Sequence, residues 1–265
     1  MSKIIKKTAV ILCGGRGTRL GLLGKRIPKT LIKIQGEPIL WYIINVLKNN
    51  NFNHFILPIG YKGRMIQNYI KKKKSFKKLD IEIIDTGINS NIAKRIEKIK
   101  KKITTRHFLL LNGDAIFNFN IKKIFDLHLY NNKNITFIGT QTQLPYGTIG
   151  VIDNKVRSFE RNITFNAVLK KNFQYFKGYL YSGISIINSN FLKLNFKNFQ
   201  NFEQELYPLV IKKGKADFKS FNGFWHSVDN LKDIEILDEE KKKKIYVKKL
   251  KKLILEKNEE LFLEK

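Results

Sequence analysis

The chain has 265 residues, 43% of them hydrophobic, which suits one large domain with a proper core and excludes a globally disordered protein. Lys and Arg number 51 against 22 Asp and Glu, a net charge of +29. These cations are scattered or lie in solvated runs such as Lys71 to Lys74 and Lys241 to Lys244, with no nucleic-acid-binding motif beside them. The charge therefore reads as a compositional bias that also draws in phosphorylated substrates, and nucleic acid is not expected as a partner.

The N-terminus, Met1 to Lys7, is basic and leads straight into a strand, without the apolar stretch of a signal peptide. No apolar run approaches a membrane span, so a cytoplasmic location away from membranes is expected. The first strand is Ala9 to Cys13, apolar throughout as in a strand covered on both faces. Cys13, the single cysteine, excludes an intrachain disulfide and reads as a small buried hydrophobe.

Gly14-Gly15-Arg16-Gly17-Thr18-Arg19-Leu20 follows, then a loop ending in Pro28-Lys29. Glycines let a ligand approach the main chain, and successive backbone N–H groups in such a turn form an anion-binding hollow. Arg16, Arg19 and Lys29 add fixed positive charge. The turn is not a Walker loop, because no Gly-Lys-Ser/Thr follows. Nor is it a dinucleotide fingerprint, because Leu20 stands at the third glycine position. Strand, turn and cations together point to a triphosphate site.

Pro38 suits the first turn of a helix whose apolar positions are Ile39, Leu40, Ile43, Ile44 and Leu47. Phe55 to Ile59 is a strand closed by Gly60-Tyr61-Lys62-Gly63. Met65, Ile66, Tyr69 and Ile70 mark a helix, Ile81 to Ile84 a strand ending in Asp85-Thr86-Gly87, and Ile92, Ile96, Ile99 and Ile103 another helix. Phe108 to Leu111 is a strand ending in Asn112-Gly113-Asp114, and Ile121, Ile124, Phe125 and His128 belong to a helix. This alternation predicts an α/β, Rossmann-like, mostly parallel mixed sheet flanked by helices. Ligands in such sheets bind beyond the carboxyl ends of the strands, where the Gly14, Gly60 and Asp85 turns and Asp114 all fall.

Beyond Lys133 the pattern turns to short strands at Ile135 to Thr142, Ile149 to Ile152 and Val156 to Phe159. Residues 162–178 have no clear periodicity and read as a small β-rich insertion, a lobe over the site or an oligomer contact. Tyr179 to Ile187 is a strand, Phe202 to Lys213 a helix and Ala216 to Phe221 a last strand. The chain thus divides into a catalytic domain over 1–235 and a helical extension over 236–265, which could pack on its own domain or on a partner.

Asp114 ends an apolar strand on the glycine-turn side, and Asp229 precedes a helix. Singly, each is a turn or capping residue. As a pair beside a triphosphate cradle they suggest two hard oxygen ligands for Mg2+, which binds through one or two carboxylates plus substrate phosphates. The chemistry this supports is in-line attack on an α-phosphorus, with Lys29 and Arg19 stabilising the leaving pyrophosphate. The four histidines have no metal-ligand spacing, and no nucleophile triad is visible.

Gly14-Gly15-Arg16-Gly17-Thr18-Arg19 with Pro28-Lys29 resembles the signature of the sugar-1-phosphate nucleotidylyltransferases. Pro38-Ile39-Leu40-Trp41, Gly60-Tyr61-Lys62-Gly63, Asp85-Thr86-Gly87, Glu203-Gln204-Glu205 and Gly223-Phe224-Trp225…Asp229 resemble the glucose-1-phosphate cytidylyltransferase branch. The resemblance covers most of residues 8–235 and implies the nucleotidyltransferase fold, a nucleoside triphosphate (CTP) and a sugar 1-phosphate as substrates, and a CDP-sugar often destined for surface polysaccharide. It implies nucleotide binding by Gly14, Gly15, Gly17, Thr18, Arg19, Lys29, Asp85, Gly87 and Arg95, with Arg19 and Lys29 catalytic. Glu160, Arg161, Tyr181, Gly183 and Glu205 would hold the sugar phosphate, and Asp114 and Asp229 the Mg2+. Ile92-Ala93-Lys94 replaces the branch's Thr-Gly-Gly with Arg95 kept, Glu160-Arg161-Asn162 replaces Glu-Lys-Pro, and Tyr181-Ser182-Gly183 replaces Asn-Gly-Gly. Phosphate and metal elements are intact while specificity elements have drifted, so the acceptor need not be glucose 1-phosphate. The competing expectations are a guanylyl-, uridylyl- or thymidylyltransferase of the same fold and a non-catalytic sugar-nucleotide-binding protein.

Overall fold

The computed structural model describes residues 5–141, 148–160, 168–171, 174–193, 199–239 and 246–263. Strand β1 (Thr8–Leu12) leads through a 3-10 turn (Thr18–Leu20) to the short helix α1 (Gly21–Arg26). A second 3-10 turn (Lys29–Leu31) precedes the paired strands β2 (Lys33–Ile34) and β3 (Glu37–Pro38). Then come α2 (Ile39–Asn49), β4 (His54–Ile59), α3 (Gly63–Lys72), β5 (Asp80–Asp85), α4 (Ile92–Ile99), β6 (His107–Asn112), β7 (Ala115–Asn118) and α5 (Ile121–Asn131). The second half holds β8 (Ile135–Thr140), a hairpin of β9 (Thr148–Ile152) and β10 (Lys155–Glu160), a hairpin of β11 (Val168–Lys171) and β12 (Gln174–Lys177), and β13 (Leu180–Asn188). Helix α6 (Tyr207–Lys212), β14 (Ala216–Ser220), β15 (Phe224–Ser227), α7 (Leu231–Glu239) and α8 (Tyr246–Leu263) complete it.

Seven strands form one sheet in the order β14-β8-β13-β6-β1-β4-β5. Only β13 runs antiparallel to its neighbours, β6 and β8; the other pairings are parallel. The expected mixed, mostly parallel sheet is therefore present. Side chains alternate between its faces with the period of two that a pleated strand dictates. Ala9 and Ile11 of β1, and Leu109 and Leu111 of β6, enter a core shared with α2, α5, α7 and α8. Val10, Phe108 and Leu110 enter a second core with α4 and α6. Each buried Ile, Leu or Phe contributes about 1.5–3 kcal/mol, so these central strands anchor the sheet whose carboxyl ends carry the site.

Several local expectations shift. Pro38, at φ −61 and ψ 150, is extended and stands just before α2 instead of inside its first turn. Helix α2 is buried from Ile39 to Leu47, wider than one helical stripe, because α8 covers its outer side. Ile103 is buried but lies beyond α4, after a further 3-10 turn. The Phe202 segment opens as a π-helical turn (Phe202–Leu206) before becoming α6. Helix α8 packs on its own chain: Val247, Leu250 and Ile254 join the first core, Lys251 Nζ donates to the Gln35 carbonyl at 2.7 Å, and Asn258 Nδ2 to Asn45 Oδ1 at 3.2 Å. Position 235 lies inside α7, whose Ile234 and Leu237 pack on that same core.

Candidate active site

Two strands that periodicity does not single out, β7 and β15, assemble the centre of the site. They pair antiparallel with Ala115 opposite Ser227, and Val228 N donates to the Asp114 carbonyl at 2.8 Å. Asp114 and Asp229 therefore sit side by side at one end of this small ladder. Helix α7 fixes Asp229 from the other side. Asn230 Oδ1 accepts from Asp233 N, while Asp233 Oδ2 accepts from Asp229 N and Asn230 N, a reciprocal capping box. His226 Nε2 lies 3.3 Å from Asp233 Oδ1, so this histidine supports the cap. The capping work falls to Asn230 and Asp233, which leaves the Asp229 carboxylate for the site.

Lys29 stands between the two carboxylates. Its Nζ donates to Asp114 Oδ2 at 2.8 Å and to Asp229 Oδ1 at 3.0 Å. Arg19 Nη1 lies 3.2 Å from Asp229 Oδ1 and is largely exposed, and Ser227 Oγ donates to Asp229 Oδ2 at 2.7 Å. Burial pushes the Asp229 carboxyl up, but Ser227, Lys29 and Arg19 together hold it below its ordinary value. It is a carboxylate at neutral pH.

Beside this centre a cavity of about 290 Å³ opens beyond the ends of β1 and β6, with Gly14, Gly15, Gly17, Lys29, Arg95 and Asp114 in its wall. Gly17 is left-handed at φ 60 and ψ 36, which starts the Thr18–Leu20 turn and aims Arg19 at the carboxylates. Gly14 is required for a different reason: a Cβ there would overlap the Arg95 guanidinium. Arg95 Nη2 donates to the Gly14 carbonyl at 2.9 Å and Nη1 to the Ile59 carbonyl at 3.0 Å, with Thr86 Oγ1 alongside. Arg95 thus lines the cavity while its guanidinium binds backbone at the ends of β1 and β4 and the Thr86 hydroxyl beyond β5.

Residues 8–242 match the family model described as Nucleotidyl transferase. The chain belongs to the nucleotidyl transferase family. Among its relatives, a Bacillus subtilis (strain 168) protein named probable glucose-1-phosphate cytidylyltransferase is 30% identical, the match covering 85% of this chain and 92% of that one. The D-glycero-alpha-D-manno-heptose 1-phosphate guanylyltransferase of Aneurinibacillus thermoaerophilus is 29% identical over 57% of this chain and 66% of its own length. The crystal structure of HddC from Yersinia pseudotuberculosis complexed with GMP-PN superimposes with a TM-score of 0.63, covering 89% of this chain and all of that one at 21% identity, which shows a shared fold. The chain is an enzyme of the sugar-1-phosphate nucleotidyltransferase class.

The remaining residues singled out in this nucleotidyltransferase's sequence are spread more widely. Asp85 Oδ1 accepts from Gly87 N at 2.8 Å, and Gly87 is at φ 89, so both shape the turn after β5. Thr18 opens the turn that carries Arg19. Tyr181 does not open onto the cavity. Its ring packs edge-on against Phe137 and Tyr207, and its hydroxyl lies 3.1 Å from that of Tyr207. Gly183 faces Asn112 of the cavity wall. The Glu205 carboxylate accepts from Asn201 N at 2.7 Å and Gln200 N at 3.1 Å, a structural cap before the π-helical turn. Two positions earlier, burial and then the charge of Asp114 push the Glu203 carboxyl above its ordinary value. Spacing alone could not choose between the two glutamates. Glu160 ends β10, and Arg161, with much of the 162–178 segment, lies outside the described residues.

Cys13 is buried beside Arg95, and burial pushes its thiol well up, so it is no nucleophile. Among the described residues, no group of three or more His, Cys, Asp or Glu side chains could hold a cation unaided. Two carboxylates within reach of a single ammonium do match what a divalent ion needs when phosphate oxygens complete its shell. Also among the described residues, no helix is long and apolar enough to cross a membrane.

Proposed function

We propose that this chain transfers a nucleotidyl group from a nucleoside triphosphate, CTP favoured, to the phosphate of a sugar 1-phosphate, glucose 1-phosphate or a related sugar, forming a nucleotide-sugar and pyrophosphate. The observation that carries this is the contact of Lys29 with Asp114 and Asp229 at the edge of the glycine-turn cavity. An oxygen of the sugar phosphate attacks the α-phosphorus, and the bond to the β-phosphate oxygen breaks in line. That phosphate has a second pKa of about 6 and is largely dianionic at neutral pH, so no strong general base is needed. The protein's task is alignment and charge neutralisation. Backbone N–H groups of Gly14, Gly15 and Gly17 cradle phosphate oxygens, while Lys29 and Arg19 hold the departing pyrophosphate. Asp114 and Asp229 would hold Mg2+, which when bound neutralises charge on the reacting phosphates. A cytoplasmic location belongs to the same assignment.

The cytidylyl preference draws on the Bacillus subtilis relative; the heptose-phosphate guanylyltransferase relative favours GTP as the second reading. The test is pyrophosphate release with Mg2+ across the common triphosphates, each with glucose 1-phosphate and a panel of other sugar 1-phosphates. Release with CTP is expected. Release with GTP alone reassigns the base, and silence with every pair overturns catalysis in favour of a binding protein.

A further inference from the structure

Most polar side chains in the cavity wall are already engaged. Ser90 Oγ donates to the Thr86 carbonyl. Asn91 Oδ1 accepts from Lys94 N as the cap of α4, and Asn91 Nδ2 donates to the Phe199 and Gln200 carbonyls. Arg95 is committed to backbone, and Lys29 and Asp114 to one another. Thr30 also lines the wall; its Oγ1 is buried and has no partner.

Asn112 differs. It ends β6, directly opposite Leu12, the last residue of β1, and Gly113 N bonds the Leu12 carbonyl at 3.1 Å. It therefore stands beside the glycine turn and two residues before Asp114. It is half-buried in the cavity wall, and among the described residues its amide has no hydrogen-bond partner. Its amide offers two N–H donors and a carbonyl acceptor to whatever fills the cavity. The fold also keeps room for it. Strand β13 shifts register between Tyr181 and Ile184, and Gly183 within that irregularity is at φ 74. A Cβ on Gly183 would come within 2.7 Å of Asn112 Nδ2.

We propose that Asn112 is a substrate-contacting residue whose amide reads a ribose hydroxyl of the nucleoside triphosphate. This rests on the nucleotidyltransferase reading above. A neutral amide adds little for phosphate where Lys29 and Arg19 already stand, whereas a combined donor and acceptor matches a hydroxyl. The ribose is the group that joins the α-phosphate, held near Lys29 and Asp114, to the base. The position of Asn112 next to β1 and the glycine turn puts it on that path.

The test is calorimetric titration of the full chain, with Mg2+, using CTP, GTP and their 2′,3′-dideoxy counterparts, for the wild type, Asn112→Ala and Asn112→Ser. The wild type should bind its preferred ribonucleotide about tenfold tighter than the dideoxy form. Asn112→Ala should weaken the ribonucleotide about tenfold and leave the dideoxy form within about twofold. If Asn112→Ala does not fold, Asn112→Ser carries the comparison. Equal weakening of both forms, no weakening, or a change confined to the sugar 1-phosphate overturns the assignment. So does a wild type that binds neither triphosphate. A wild type that binds but releases no pyrophosphate removes the transfer reaction and leaves the Asn112 contact standing on the binding ratio.

Discussion

Lys29 meets carboxylates that lie 85 and 200 positions away in the chain, which is why the sequence could name the three groups but not join them. Their chemistry was legible: a lysine after a glycine turn and an aspartate at the end of an apolar strand are residue types that handle phosphate and cations. The specificity side was less so. Tyr181 at a pocket position reads as a bulky reshaping of the sugar site, yet the aromatic partners Phe137 and Tyr207 draw its ring into the second core. Removing the ammonium between Asp114 and Asp229 should act on both catalysis and protonation. Lys29→Met should lower kcat by about 100-fold or more, the scale of losing one preorganised donor to a reacting phosphate. It should also move the Asp229 carboxyl upward, since one of the partners that holds it down is gone. Steady-state kinetics and carboxyl NMR check the two effects, and an unchanged kcat contradicts the role of Lys29.

At the scale of elements, long apolar runs and helical spacing reveal most of the main sheet and its helices, because buried strands and amphipathic helices each carry a strong period. Strands β7 and β15 are only four residues each, too short for a period, and it is their pairing that seats Asp229 beside Asp114. Arg95 is a different case. The family resemblance puts it among the nucleotide-binding residues, but it lies one helical turn from Ile92 and from Ile99, on the buried face of α4. Its guanidinium ties together the ends of β1 and β4 and the Thr86 hydroxyl beyond β5. Arg95→Met removes the buried guanidinium bonds to the Gly14 and Ile59 carbonyls, which keep the donors Tyr61 N and Thr86 N. It should cost about 2–4 kcal/mol of stability, read as a lower urea midpoint, with nucleotide affinity falling because the glycine turn loosens. Weaker nucleotide binding at an unchanged midpoint would instead make Arg95 a direct ligand contact.

For the whole molecule, the surplus of basic residues says little about architecture, whereas the buried histidines make a definite statement about stability. His128 is fully buried between α5 and the sheet, its Nε2 3.0 Å from His107 Nδ1 and its Nδ1 2.7 Å from Thr136 Oγ1. Burial, and then the neighbouring His107, lower it from 6.5 to about 4. The unfolded chain takes up this proton near pH 6.5 and the folded chain only near pH 4. The stabilisation is thus fully present above about pH 6.5 and is lost as pH falls towards about 4. Between about pH 7.5 and about pH 5 this amounts to ~2 kcal/mol. Urea midpoints of the wild type and His128→Asn across that window check it: the wild type should lose more stability than the variant, and parallel profiles contradict it. The packing of α8 is a whole-molecule outcome too. Its leucine spacing shows an apolar face, but only the assembled fold shows that α2 of the same chain receives it.

In the reaction proposed for this site, a nucleotide is joined to a sugar phosphate by attack at the α-phosphorus. The most direct measurement follows two labels from the preferred triphosphate, one on the α-phosphate and one on the γ-phosphate, through a reaction with Mg2+ and a sugar 1-phosphate. The α label should appear in a nucleotide-sugar and the γ label in pyrophosphate in equal amounts, with both transfers lost in Asp114→Asn and Asp229→Asn. Inorganic phosphate carrying the γ label, or a nucleotide-sugar still formed when both aspartates are replaced, would contradict this reaction.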